Sequence, residues 1–70
     1  MWLKKGAIEK LLQANKITRE GLAKAFDIRW DELNPVLDGE AEAGETLAML
    51  LLAAFGAEEM ESVIDWERTN

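Results

Sequence analysis

The chain has 70 residues, a formal net charge of −6, and neither cysteine nor histidine. That length supports one small domain, and the missing residue types remove disulfides, thiolate chemistry and the commonest acid–base catalyst and metal ligand. The acidic balance speaks to partners and solubility, not to fold.

Taken in chain order, the residues mark helical segments and no convincing strand. The first spans about 2–14, where Leu3, Ala7, Ile8, Leu11 and Leu12 fall at the i, i+3, i+4 spacing of one helix face. Its opening, MWLKKGAIEK, holds no apolar run of signal-peptide type. Asn15 and Lys16 break the pattern. A second, short helix begins at Thr18, a good N-cap, and carries Leu22, Ala23 and Phe26 on its apolar side. A third lies within 30–37, with Leu33, Val36 and Leu37 facing inward and Gly39 as its stop. Pro35 lies past the first turn of that helix and is expected to bend or shorten it.

DGEAEAGE at 38–45 reads as an acidic loop. The fourth helix, about 45–55, is apolar at every position from Leu47 to Phe55, a pattern expected of a helix buried on all sides or covered by a partner. It is too short to span a bilayer, so a cytoplasmic protein with no membrane association is expected. Gly56 ends it, and a last helix over 58–66 sets Met60, Val63, Ile64 and Trp66 on one side. The expected organisation is one domain over residues 1–66 and a short flexible tail at 67–70.

The order and spacing of these five helices resemble the Cro/CI-type (Xre-like) helix-turn-helix family. The stretch Ile17-Thr18-Arg19-Glu20-Gly21-Leu22-Ala23-Lys24-Ala25-Phe26 is similar to that family's second helix. Asp27 and Ile28 stand where the family turns, usually on Gly and a small apolar residue. Leu33, Val36 and Asp38-Gly39 match the frame of the third helix, and 47–56 is similar to the fourth. The resemblance covers nearly the whole chain and implies an all-α, compact five-helix domain of the lambda-repressor-like type. It also implies a third helix that enters the major groove of DNA.

The residues at the implied reading positions depart from that role. The surface of the third helix is Arg29, Trp30, Asp31, Glu32, Asn34, Pro35 and Asp38. Family members usually carry Gln, Arg, Lys, Ser or Asn at the early exposed positions, side chains that donate to base edges or phosphate. Before residue 27 the bases Lys4, Lys5, Lys10, Lys16, Arg19 and Lys24 outnumber Glu9 and Glu20. From 27 to 45, Arg29 is the one base among Asp27, Asp31, Glu32, Asp38, Glu40, Glu42 and Glu45. Nucleic-acid affinity rests on neutralising several phosphates, and a net negative reading segment reverses that term. Lys16, Thr18 and Arg19, at the start of the second helix, remain candidate phosphate contacts.

The acidic surface reads either as a solvated face or as a surface for a basic protein partner. Trp30 among charges is an interface candidate, or else packs against the second helix. A homodimer through the fourth and fifth helices is expected from the family habit, with Leu50, Met60, Val63, Ile64 and Trp66 as candidate interface residues; the last four fit intrachain core equally well. The carboxylates from Asp38 onward fail as a calcium loop, because the sixth and twelfth places hold Ala43 and Met49. No metal, cofactor or enzymatic activity is expected. Two functions remain: a transcription regulator that binds a protein, such as an antirepressor or an acidic decoy for a basic DNA-binding regulator, and a conventional dimeric repressor that binds operator DNA.

Overall fold

A computed structural model describes residues 1–68. Among them the elements are α1 (Ala7–Ala14), α2 (Arg19–Phe26), α3 (Trp30–Leu37), α4 (Glu45–Phe55) and α5 (Ala57–Glu61). The domain is all-α apart from one isolated antiparallel bridge, Leu3 to Ile64.

That bridge corrects both outer helices. The apolar spacing that carries α1 back to residue 2 is coincidental, because Gly6 takes a left-handed conformation (φ +78°) and starts the helix at Ala7. Residues 2–4 are instead extended and pair with 63–65. The Lys4 N–H donates to the Val63 carbonyl at 2.8 Å, and the Asp65 N–H to the Trp2 carbonyl at 2.8 Å. On its other side the segment receives the Ala43 N–H at the Met1 carbonyl, 2.7 Å away. Because the backbone of 63–65 is committed there, α5 stops at Glu61 rather than running to Trp66. Leu3 is fully buried, but from an extended backbone and not from a helix face.

Helices α1, α2 and α3 end alike. Lys16 (φ +54°), Asp27 (φ +55°) and Gly39 (φ +78°) each adopt the left-handed conformation. Each, with the residue after it, returns its N–H to the last turn: Lys16 to Gln13 and Ile17 to Leu12, Asp27 to Lys24 and Ile28 to Ala23, Gly39 to Val36 and Glu40 to Pro35. This is the Schellman arrangement, which satisfies carbonyls that the helix itself leaves open. Thr18 caps α2 as the sequence suggests, its hydroxyl accepting from the Gly21 N–H at 3.0 Å. Pro35 does not cut α3, which continues to Leu37. Its carbonyl accepts from both Glu40 and Ala41 as the chain turns away.

The largest fully buried side chains are Leu3, Ile8, Leu22, Leu33, Leu37, Leu51 and Met60, so every helix and the N-terminal segment place at least one in the same core. Burying such a side chain stabilises the fold by about 1.5–3 kcal/mol. Helix α4 contributes less than its composition suggests. Leu51 alone of its residues is fully buried, Leu47, Ala48, Leu50, Leu52 and Phe55 are half-buried, and Met49 is 63% exposed. The expectation of a helix buried on all sides is therefore corrected: within one chain, α4 lies on the surface. No helix is long and apolar enough to cross a membrane among the described residues. Of the expected tail at 67–70, residues 69–70 lie outside the described residues. Arg68 donates to the Gly39 carbonyl at 2.8 Å and lies 4.0 Å over the Trp2 ring, an arrangement in which the ring face attracts the cation.

Candidate functional site

Helix α3 offers its residues to two different sides. Leu33, Val36 and Leu37 are buried, whereas Arg29, Trp30, Asp31 and Glu32 are exposed together at its N-terminal end. The Arg29 guanidinium donates to Asp31 at 2.9 Å, with both side chains largely in solvent. Trp30 is 44% exposed and borders a cleft with Glu20, Ala23 and Lys24 of α2 and with Asp27 and Ile28 of the turn. It thus stands beside α2 while keeping an open face.

Asn34 and Asp38, counted on sequence as part of the same outward surface, are half-buried and in contact with Arg19. That arginine donates through Nε to Glu9 at 2.8 Å and through Nη2 to Glu9 and to Asp38, the latter at 2.8 Å; Nη1 donates to Asn34. One guanidinium fork ties α1, α2 and the end of α3 together, and only 21% of the arginine side chain is exposed. Its pKa is raised above the ordinary value, chiefly by the hydrogen bond to Asp38, with Glu9 adding to the effect against the lowering caused by burial. Arg19 is accordingly spent on structure: its donors face carboxylates and an amide of its own chain. Of the candidate phosphate contacts, Lys16 and Thr18 remain exposed, Thr18 with its oxygen engaged as the cap.

Three of the residues considered for a dimer interface are placed in the interior. Met60, Val63 and Ile64 are at most 6% exposed and belong to the core, because the Leu3 segment covers them. Leu50 is half-buried and Trp66 is 59% exposed, its indole N–H donating to the Glu61 carbonyl at 3.2 Å.

A feature that sequence reasoning missed lies between α3 and the start of α4. A groove of about 410 Å³ is floored by Ile28, Val36, Leu47 and Leu50 and edged by Glu32, Glu42 and Glu45. Leu47 and Leu50 are three apart on α4 and share a face. Nothing local in the sequence reveals that this face opens beside Ile28, which follows the turn after α2. No basic side chain lines the groove. Glu42 also accepts the Met1 ammonium at 3.2 Å, whereas Glu32 and Glu45 have no ion pair among the described residues.

No protein-family model, curated protein or solved structure matches the chain.

Proposed function

We propose that the protein is a small transcription regulator of lambda-repressor-like helix-turn-helix type that works by protein contact, receiving a basic partner on the N-terminal end of α3. The observation that carries this reading is the exposed group Trp30, Asp31 and Glu32, whose adjacent base, Arg29, is already paired to Asp31. An exposed indole beside Asp31 and Glu32 suits a partner that supplies both an apolar contact and positive charge. The same surface would meet a row of phosphates with like charge. The inward commitment of Arg19 removes a further cation from the side that duplex DNA would approach. An antirepressor, or an acidic decoy that occupies the DNA-binding surface of a basic repressor, has the surface this arrangement calls for.

Operator binding is the second reading, favoured by Lys16 and Thr18, exposed at the start of α2. The two separate by experiment. Affinity capture from native lysate with the wild-type chain and with the double variant Asp31→Lys, Glu32→Lys should retain a basic protein on the first and lose it on the second. The purified partner should then bind with a constant that weakens as salt rises. Retention of the partner by the double variant would remove the acidic end of α3 from the account. Specific duplex binding with a steep salt dependence would replace partner binding with operator binding.

A further inference from the structure

The groove between α3 and α4 lies outside the surface described from Trp30 to Glu32, and shares only Glu32 with it. Its floor is apolar: Val36 is nearly buried, while Ile28, Leu47 and Leu50 keep part of their surface open. Its edge is acidic, with Glu32 on one wall and Glu45 on the other. An apolar floor favours a hydrocarbon side chain, since covering these three half-open residues removes further apolar surface from water. An edge with two unpaired carboxylates and no base selects against acidic neighbours of that side chain and for basic ones.

We propose that this groove is the anchoring site for the basic partner, taking one large apolar side chain from a segment whose flanking residues are lysine or arginine. The inference rests on the partner-binding reading above and specifies the partner's chemistry. The chain's own residues argue that the occupant is a different protein. Leu3, Leu11 and Ala23, beside Lys4, Lys10 and Lys24, are buried; Ile17, after Lys16, is half-buried and followed by Thr18, and the exposed Ala25 after Lys24 is small. Of the large exposed apolar side chains, Trp30 lies between Arg29 and Asp31, Met49 between Ala48 and Leu50, and Trp66 between Asp65 and Glu67. A second copy therefore has no exposed apolar side chain flanked by bases on both sides to offer the groove.

The test uses the full chain, labelled with nitrogen-15 and at its methyl groups, and an amidated peptide with one phenylalanine between two lysines on each side. Titration should give saturable shifts of the Ile28, Leu47 and Leu50 methyls, weakening as salt rises. The same peptide with alanine at its centre should bind roughly tenfold more weakly, the loss expected when a large buried apolar side chain is truncated. Glu45→Lys, an exposed change outside the surface from Trp30 to Glu32, should weaken the phenylalanine peptide severalfold. Leu50→Ala should weaken it as well. Equal binding of the phenylalanine and alanine peptides would overturn the proposal, because the floor would then contribute nothing. Absence of saturable shifts at these methyls would overturn it too. Peptide shifts confined to Trp30 and Asp31 would remove the groove and leave the partner-binding function standing. Protection of the same methyls in a concentration-dependent dimer, without peptide, would give the groove to a second copy and likewise overturn the assignment.

Discussion

The two ends of α3, a helix of eight residues, are held in opposite ways. At the C-terminal end, Asp38 accepts from Arg19, and the Gly39 carbonyl accepts from Arg68. The backbone there also lies against Leu3, so that a Cβ at Gly39 would sit 2.7 Å from the Leu3 carbonyl oxygen. At the N-terminal end, Arg29 makes no side-chain cap, Trp30 keeps an open face, and the Arg29–Asp31 pair sits in solvent. Ion pairs occur at both ends, yet only one end is structural. An exposed pair contributes about 0–1 kcal/mol, whereas a fork shared among three helices restrains each of them and is partly shielded from water. One helix is thus fixed at its root and open at its tip, which is how a rigid fold can present a recognition surface.

Substitutions at the root should bring the largest effects. Gly39→Ala is strained twice, by φ +78° and by the approach to Leu3, where the neighbouring atom is backbone and has little room to move. A loss of about 2–4 kcal/mol is expected in a denaturant titration, a large share of the stability of so small a domain. Arg19→Met should cost about 1–2 kcal/mol by the same measurement, since Glu9, Asn34 and Asp38 lose their common donor. Arg19→Lys should fall between, keeping the charge without the fork. The pKa of Arg19 is raised in the folded state, so the stability it contributes is complete below the unfolded value and is lost only as pH climbs through the folded one. Both lie far above neutrality. The arginine's own titration therefore adds no slope to the stability difference between wild type and Arg19→Met around neutral pH.

Smaller effects belong to the turn and the tip. Asp27 holds the same left-handed conformation as Gly39 but with a side chain, so Asp27→Gly should raise the unfolding midpoint, by about 0.5 kcal/mol in stability. A fall instead would show that the Asp27 side chain holds the turn. Arg29→Ala should change stability by less than about 0.5 kcal/mol, because its partner Asp31 is as well solvated without it. A cost as large as that of Arg19→Met would erase the contrast between root and tip.

Much of this arrangement is legible in the residues themselves. Thr18 before Leu22 and Ala23 announces α2, the spacing of Leu33, Val36 and Leu37 sets the inner face of α3, and Gly39 and Gly56 fall where α3 and α4 stop. These are local signals, carried within one or two turns of helix. What escapes is long-range. Leu3 fits a helical period and an extended segment equally well, and only its pairing with Ile64, across almost the entire chain, decides between them. Arg19 looks like any surface base at the start of a helix until Glu9, Asn34 and Asp38 converge on it. For α4 an all-apolar run reads as a central helix or as one covered by a partner, and within one chain a core this small fully covers only Leu51. The groove at Ile28, Leu47 and Leu50 depends on how the turn after α2 meets α4, which no local pattern encodes.

The pairing of residues 2–4 with 63–65 also sets the order of events while the chain is being made. The first of these segments leaves the ribosome about sixty residues ahead of its partner, a delay of roughly 3–12 s at ordinary rates of synthesis. During that interval Leu3 has nothing to pair with, and the Leu3 carbonyl against which Gly39 packs is not yet held in place. The helices can form as they emerge, but the edge that locks the root of α3 closes only once residues 63–65 have followed them.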